Sequence, residues 1–268
     1  MSIKLGVHGV TGRVGRAIVA ACSETDGFVL REGRASSGSA SLGVDCGLLA
    51  GVEEAGVAVA SSTAPLGAGA ELWIDFTRSD VSIAFLGQCR DAGLPVVVGT
   101  TGHSAEQQQC FERAACDIPI VLAPNMSVGV NVVFNLLDTV SRVVGQESDI
   151  EIMESHHRKK LDAPSGTAVR MGEIIASALG SDLGICAVYG REGHTGVRPR
   201  GQIGFATVRG GDIVGEHTVM FAGEGERIEI THRGTSRKNF AMGALRAAAW
   251  LRHREPGLYE MRDVLGLR

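Results

Sequence analysis

Aromatic residues are scarce in this sequence, and long apolar runs are absent. Phe, Trp and Tyr make up 4% of the 268 residues, with two Trp and two Tyr. No apolar stretch reaches the roughly 20 residues that a membrane-spanning helix needs, and no signal peptide precedes the first strand. The hydrophobic fraction of 44% is nevertheless enough for a substantial buried core, so we expect a soluble globular protein without a membrane partner.

Excess positive charge and paired cysteines are missing as well. The chain carries 26 Lys and Arg against 30 Asp and Glu, a net charge of -4, which disfavours nucleic-acid binding. The six cysteines are scattered without a C-x-x-C pair, a pattern typical of free thiols in a reducing compartment. We therefore expect a cytoplasmic location.

The N-terminus has the order of a dinucleotide-binding unit. A β-prone run over 3–7 leads into the glycine turn 9–15, and apolar residues then recur with helical spacing. Glycines in such a turn let the backbone approach a pyrophosphate at the helix N-terminus. The spacing is G-x-x-G-x-x-G and not the standard G-x-G-x-x-G, and a glycine turn also occurs for steric reasons alone. The candidate cofactor ligands here are Gly9, Val10, Thr11, Gly12, Arg13 and Val14.

The end of the second strand bears on the choice of coenzyme. We predict this strand over 28–32, followed by Arg34 and two serines. An acid at this point selects NAD, and Glu32 is one candidate, whereas an arginine accommodates the 2′-phosphate of NADP. Arg34 therefore favours NADPH over NADH.

Further strands alternate with helices, which predicts a parallel sheet of Rossmann type. Buried strands over 71–77, 95–98 and 118–122 each end in polar or small residues. Ligands of such sheets lie beyond the carboxyl ends of the strands, although Gly-Thr-Thr-Gly after the second of these also suits a plain turn with a helix cap. The additional cofactor candidates are Gly99, Thr100, Thr101, Ala123, Pro124, Asn125 and Met126.

The pattern changes after residue 126. Strands over 149–158, 203–210, 212–221 and 226–233, with few helices between them, predict a second α+β domain with a mixed sheet. We expect a dinucleotide-binding domain over 1–126, with 238–268 packing back on it, and a substrate-binding and oligomerisation domain over 127–237. The Gly-rich basic loop 191–201 suits a lid or an intersubunit arm.

Residues 154–168 concentrate the polar chemistry of the second part. His156 and His157 follow a short strand, three cations come next, and Pro164 suits the first position of a helix. Helix-start amides facing His and Lys bind anions, so we predict a carboxylate or phosphate site. A solvated loop is the plainer alternative. A zinc site is disfavoured, because adjacent histidines on an extended backbone point to opposite sides and no Cys lies nearby.

Residues 154–168, Glu-Ser-His-His-Arg-x-Lys-x-Asp-Ala-Pro-Ser-Gly-Thr-Ala, resemble the signature of the bacterial dihydrodipicolinate reductase family. The resemblance extends over nearly the whole chain. It includes the glycine turn, 75–77, 99–102, 125–131, 190–196 and 203–217.

The resemblance implies a reductase of a cyclic unsaturated dicarboxylate in lysine and diaminopimelate biosynthesis, using NADPH or NADH and assembled as a homotetramer through the second-domain sheet. It implies that His156 is the general acid and that Lys160 is its partner. It assigns the substrate carboxylates to His157, Ser165, Gly166 and Thr167. The acid that many members place near the adenine ribose falls on Ala35, which leaves dual coenzyme use in doubt.

Two other functional classes fit parts of the pattern. A nucleotide-sensing protein would keep the first domain without catalysis, but it has no need of a proton donor such as His156. A dehydrogenase acting on a sugar or a semialdehyde shares the two-domain plan. A semialdehyde dehydrogenase needs a nucleophilic Cys, and none of the six lies in an activating motif.

Overall fold

The computed structural model describes residues 2–267, and the chain divides into two compact units. The first unit runs to Val128 and resumes at Arg237, and the second is Gly129–Ser236. The elements are, in chain order, β1 (Ile3–His8), α1 (Arg13–Glu24), β2 (Phe28–Ala35), α2 (Cys46–Ala50), β3 (Val59–Ser61), β4 (Leu72–Asp75), α3 (Ser79–Asp91), β5 (Val96–Val98), α4 (Ala105–Ala114), β6 (Pro119–Leu122), α5 (Val128–Val144), β7 (Asp149–His156), α6 (Gly166–Ala178), α7 (Leu183–Cys186), β8 (Ala187–Val188), β9 (Ile203–Arg209), β10 (Gly215–Ala222), β11 (Arg227–Gly234), α8 (Lys238–Leu251), β12 (Gly257–Tyr259) and α9 (Met261–Leu265).

The first unit is a seven-stranded parallel sheet in the order β12-β6-β5-β4-β1-β2-β3, which confirms the predicted Rossmann-type class. Its central strands are short apolar runs, and β4 and β5 are buried at every residue, as expected when helices cover both faces. One core cluster joins the sheet to α1 and α8, and the other joins it to α3 and α4. Strand β12 and helix α9 were not predicted.

The second unit is a five-stranded mixed sheet in the order β11-β10-β7-β9-β8. Strands β7, β9 and β8 run parallel, and β10 pairs antiparallel with both β7 and β11. Alternate residues of β7 are buried, because one face of the strand packs under α6. Ile150 and Ile152 continue the face that carries Glu154 and His156, so the polar pair lies at the end of an apolar row. Helix α7 and strand β8 were not predicted.

Candidate functional site

The glycine turn of the first unit is built for close backbone approach. Gly9 has a φ of 93°, and its amide donates to the carbonyl of Arg34 at 2.8 Å. A Cβ at Gly15 would lie 2.1 Å from the Gly9 carbonyl oxygen, so helix α1 packs directly on the turn. Gly12 is the N-cap of α1 and supplies no capping side chain. The helix N-terminus with this cradle fits a dinucleotide pyrophosphate, and the ligands over residues 9–14 stay a prediction.

The side chain of Arg34 does not have the position that the sequence interpretation required. Strand β2 continues to Ala35, three residues beyond its predicted end, and Arg34 is only 1% exposed. Its guanidinium donates to the carbonyls of Ala64 and Pro65 at 2.7 and 2.5 Å and to Glu32 Oε2 at 3.3 Å. It also lies over the Trp73 ring. Arg34 is therefore a buried structural cation, and it gives no reason to prefer NADPH.

A buried carboxylate joins the ends of three strands near the other cofactor candidates. Asp75, at the end of β4, accepts hydrogen bonds from the hydroxyls of Thr77 at 2.8 Å and Thr100 at 3.0 Å, and from Ser82. The amide of Thr77 in turn donates to Thr100 Oγ1 at 2.9 Å. His8 Nδ1 of β1 lies 3.0 Å from Asp75 Oδ1. From the sequence, Asp75 was recognised only as part of a family motif. In the structure, its carboxylate fixes the loops that follow β4 and β5.

The remaining cofactor candidates follow β5 and β6. Thr101 is exposed after the buried Thr100, and a Cβ at Gly99 would lie 2.2 Å from the Phe76 ring. After β6, Ala123 donates to the carbonyl of Val98 at 3.2 Å. The remaining three range from exposed to buried: Pro124, Asn125 and Met126. All seven candidates thus lie at the carboxyl ends of β5 and β6, on the edge where a parallel sheet binds ligands.

In the second unit, His156 is the last residue of β7 and is 9% exposed. Its Nδ1 lies 2.6 Å from Oε2 of Glu154, a side chain that is 2% exposed. The same carboxylate accepts two hydrogen bonds from Arg209 of β9, at 2.8 and 2.7 Å, and one from the Ser165 amide at 3.0 Å. The imidazole therefore contacts a carboxylate that Arg209 and the Ser165 amide hold in one position.

The electrostatic environment of this pair keeps the carboxylate ionised. Burial alone would raise the pKa of Glu154, but the hydrogen bonds from Arg209 and His156 outweigh it and lower that pKa to about 2. Burial lowers the pKa of His156 from its ordinary value, and Glu154 opposes that shift. Lys160 and Arg209 lower the pKa of His156 further, because their positive charges disfavour a second cation.

Helix α6 begins two residues later than predicted, at Gly166. Pro164 precedes the helix, and Ser165 is its N-cap, with Oγ accepting from the Ala168 amide at 3.2 Å. Because the cap residue keeps an extended backbone, Pro164 falls outside the first turn and Gly166 and Thr167 open it. Ser165 Oγ also contacts Nε2 of His217 at 2.9 Å.

Lys160 and His157 lie in a tight turn after β7. The Lys160 amide donates to the His157 carbonyl at 3.0 Å, and Lys160 Nζ pairs with Asp162 at 2.8 Å. The carbonyl of Asp162 accepts from Arg209 at 2.7 Å, so the turn is attached to the same arginine that holds Glu154. The predicted residues His156, Lys160 and Ser165 are thereby joined in one hydrogen-bonded cluster.

Sequence reasoning missed Arg209 and His217 as members of this cluster, and it gave Glu154 no role. Arg209 pairs with His156 and His217 pairs with Glu154 across the sheet, so strand register brings them together. Burial and the neighbouring His156 lower the pKa of His217 to about 3, which keeps it neutral. The available signal was the alternation of β10, in which His217 occupies an inward position among apolar residues.

The basic loop 191–201 is irregular, and two of its arginines contact the face of β7 opposite to His156. Arg191 and Arg198 both pair with Glu151 at 3.0 Å, and Arg198 also reaches Asp149 at 2.7 Å. Within residues 2–267 no cluster of His, Cys, Asp and Glu could hold a metal ion. Over the same residues no helix is both long and apolar enough to cross a membrane.

The cluster in the second unit can bind and protonate an anion. It combines an imidazole on an ionised carboxylate, a lysine and the amides at the start of α6. Cations and helix-start amides stabilise carboxylates, and an imidazole delivers protons near neutral pH.

Comparisons with known proteins agree over the full length of the chain. Two family models match, dihydrodipicolinate reductase N-terminus over residues 3–126 and dihydrodipicolinate reductase C-terminus over residues 129–265. A 4-hydroxy-tetrahydrodipicolinate reductase of Methylococcus capsulatus is 54% identical over 268 residues, 100% of each chain. One of Pseudomonas fluorescens is 53% identical over 265 residues, 98% of this chain and 99% of the relative.

A solved structure shares the fold. The dipicolinate-bound dihydrodipicolinate reductase of a Paenisporosarcina species superposes with a TM-score of 0.74 at 22% identity, covering 98% of this chain and 99% of that one. With both family models and two full-length relatives in agreement, the chain belongs to the dihydrodipicolinate reductase family.

Proposed function

We propose that the protein is a 4-hydroxy-tetrahydrodipicolinate reductase, which uses NADH or NADPH in lysine and diaminopimelate biosynthesis. Its product is tetrahydrodipicolinate. The observation that carries the proposal is the His156–Glu154 pair beside Lys160 and the start of α6, in a chain whose full-length relatives have this activity in their names.

Binding of the substrate needs positive charge and amide donors, because the substrate is a dicarboxylate. The amides of Gly166 and Thr167 at the start of α6 suit one carboxylate, with the macrodipole of this 13-residue helix behind them. His157 and Lys160 suit the other contacts, since Lys160 keeps 20% of its side chain exposed. Ser165 shapes the turn through its cap rather than through a direct contact with the substrate, because it is 2% exposed.

The substrate loses its 4-hydroxyl as water to give a conjugated imine, and the reduction of that imine needs a proton as well as a hydride. When bound, the nicotinamide supplies the hydride, which leaves negative charge on the conjugated substrate. His156 donates the proton that neutralises this charge, and the Lys160 ammonium stabilises the charge until the proton arrives. The ionised Glu154 holds the imidazole in place throughout.

The choice between NADH and NADPH depends on residues other than Arg34. Its guanidinium is buried, and the family resemblance assigns Ala35 to the position where many members have an acid near the ribose. Without either determinant we expect weak discrimination, with affinities for the two coenzymes within about tenfold, or about 1.4 kcal/mol. Arg13, at the start of α1, is the cation that we propose for the coenzyme phosphates.

We also propose a homotetramer formed through the sheet of the second unit. Met153 and Val208 are exposed on the face of β7 and β9 away from α6, which leaves apolar surface for another copy. Light scattering coupled to gel filtration should give four times the mass of one chain, and a monomer mass would contradict the proposal.

The activity is tested by following NADH or NADPH oxidation while the preceding enzyme generates the substrate from pyruvate and aspartate semialdehyde. Wild type should oxidise coenzyme only when substrate is present. His156→Ala and Lys160→Ala should each lower turnover by roughly a hundred- to ten-thousandfold, the usual worth of a positioned proton donor, with dinucleotide affinity unchanged.

Lys159→Ala is the matched control, because Lys159 is exposed in the same turn. It removes an equal charge and should keep most of the activity. Dinucleotide binding by folded wild-type protein without any substrate-dependent oxidation would contradict the proposal and favour a sensing role.

A further inference from the structure

The Glu154 carboxylate is more completely fixed than any reactive group in the cluster. Both of its oxygens face Arg209, at 2.8 and 2.7 Å, and the Ser165 amide adds a third donor at 3.0 Å. These donors come from β9 and from the residue that caps α6, so neither oxygen can turn without breaking contacts to two elements. A carboxylate placed in this way presents Oε2 to the imidazole in one orientation.

The opposite ring nitrogen of His156 faces a position that has no side chain. Gly215, the first residue of β10, is adjacent to it, and a Cβ there would lie 3.0 Å from His156 Nε2. Any larger residue would press on that nitrogen. The ring therefore has one nitrogen held by a carboxylate and the other on a side that glycine leaves uncovered.

From this geometry we propose that Glu154 is the positioning residue of the proton donor, with Arg209 holding Glu154 in place. Glu154 accepts a hydrogen bond from Nδ1–H of His156, so that the imidazolium transfers its Nε2 proton to the substrate. This inference deepens the proposed function and depends on it. In the step, the Nε2–H bond breaks and a bond from that proton to the substrate forms. The imidazole is left neutral with Nδ1–H still on Glu154, and solvent returns the proton to Nε2.

The charged groups around His156 make this role measurable through pH. Glu154 is the anion of its own strand, Lys160 and Arg209 are cations from the turn after β7 and from β9, and Asp162 pairs with Lys160. His217 of β10 lies edge-on to His156, with His232 of β11 opposite it in register. Burial lowers the pKa of His232, and His217 stays neutral, so neither supplies a charge in place of Glu154.

Glu154→Gln removes the acceptor charge and keeps the shape. Nitrogen-15 histidine spectra of the protein without substrate should show neutral wild-type His156 with its proton on Nδ1, the signal being assigned by its loss in His156→Asn. In Glu154→Gln the pKa of His156 should fall by about 1–3 units, the usual effect of a neighbouring opposite charge. The alkaline limb of the kcat–pH profile should move down by the same amount. The kcat should fall by roughly a hundred- to ten-thousandfold, with the affinity for NADPH unchanged.

Glu151→Gln is the matched control, because Glu151 is another arginine-bound carboxylate of β7 on the opposite face of the sheet. It should leave the pKa of His156 and the pH profile unchanged. If wild-type His156 carries its neutral proton on Nε2, the proposal is overturned, and this measurement needs no Glu154 variant to fold. An unchanged pKa of His156 and an unshifted alkaline limb in folded Glu154→Gln would overturn it equally. Absence of reductase activity in wild type would instead refute the proposed function and leave the spectra interpretable.

Discussion

Single residues in both units are charged and buried, and each contacts several polar partners. Asp75 accepts three hydroxyls, Glu154 accepts an arginine fork, and Arg34 donates to two carbonyls and a carboxylate. Removing one partner of a buried ion pair leaves the other uncompensated, which is more costly than the pair's own net contribution. Substitutions at these positions therefore report on their buried partners first.

Arg34→Met should test whether this arginine stabilises the fold or selects the coenzyme. The Glu32 carboxylate and the carbonyls of Ala64 and Pro65 would lose their donor, so the free energy of unfolding in urea should fall by about 3–5 kcal/mol. The ratio of dissociation constants for NADPH and NADH should change by less than about threefold. The exposed Arg31→Met is the control for stability. A selective loss of NADPH affinity would make Arg34 a phosphate ligand after all.

Among the residues of the candidate site, the sequence predicted those that lie near one another along the chain. His156, Lys160 and Ser165 fall within ten residues and form one cluster, as their spacing indicated. Arg209 lies 55 positions from Glu154, and His217 lies 52 positions from Ser165. Both join the cluster only through the pairing of β7 with β9 and β10. Register between distant strands is not contained in local pattern, so these partners had to come from the structure.

Helices and strands with strong apolar periodicity were predicted well, but some of their predicted ends differ from the observed ones. Strand β2 was expected to end at residue 32, but it continues to Ala35. Because Arg34 is therefore part of the strand, its side chain is buried in the interior. Helix α6 was expected to begin at Pro164, whereas Ser165 caps it. In both cases the apolar pattern fixed the element, but hydrogen bonds to distant partners fixed its end.

Helix α1 must start directly on the glycine turn for the turn to bind a dinucleotide. Gly15→Ala would place a Cβ 2.1 Å from the Gly9 carbonyl oxygen, so the helix has to move away. We expect a loss of about 1–3 kcal/mol in stability, as for other overpacked sites, and a dinucleotide affinity at least about tenfold weaker by fluorescence titration.

Gly87→Ala is the control for this substitution. Gly87 is exposed within α3, and a Cβ there would meet no atom within 4 Å. The change should stabilise the protein by about 0.5–1 kcal/mol and leave affinity unchanged. Equal affinities in Gly15→Ala and wild type would mean that the turn does not hold the dinucleotide.

For the molecule as a whole, the sequence indicated one parallel α/β unit and one unit with a mixed sheet, and both classes are present. The parallel sheet of the first unit could be predicted from the sequence, because its strands are short apolar runs separated by helical patterns. The order of strands in the second sheet could not be predicted from the sequence, because β9 follows a long irregular loop and then pairs in parallel with β7.

Acid should destabilise the folded protein through His217. Its pKa is about 3 when folded and near 6.5 when unfolded, so protons bind the unfolded chain first as pH falls between these values. This contribution to stability is complete above pH 6.5 and is lost as the pH falls toward 3, by about 1.4 kcal/mol per pH unit.

His217→Gln should flatten that dependence when urea unfolding is followed at pH 6 and pH 5. His253→Gln, at an exposed histidine, should leave the wild-type slope intact. If His217→Gln and wild type lose stability equally with acid, His217 does not titrate on unfolding in the way its burial requires.

The transfer of an isotopic label from the coenzyme to the product tests the proposed reductase activity. NADPH or NADH that carries deuterium at the transferred position of the nicotinamide is oxidised while the preceding enzyme generates the substrate. The mass of the product is then measured by mass spectrometry. We predict that wild type forms tetrahydrodipicolinate with one deuterium and that His156→Ala forms almost none. Unlabelled product from wild type, or coenzyme oxidation without this product, would contradict it.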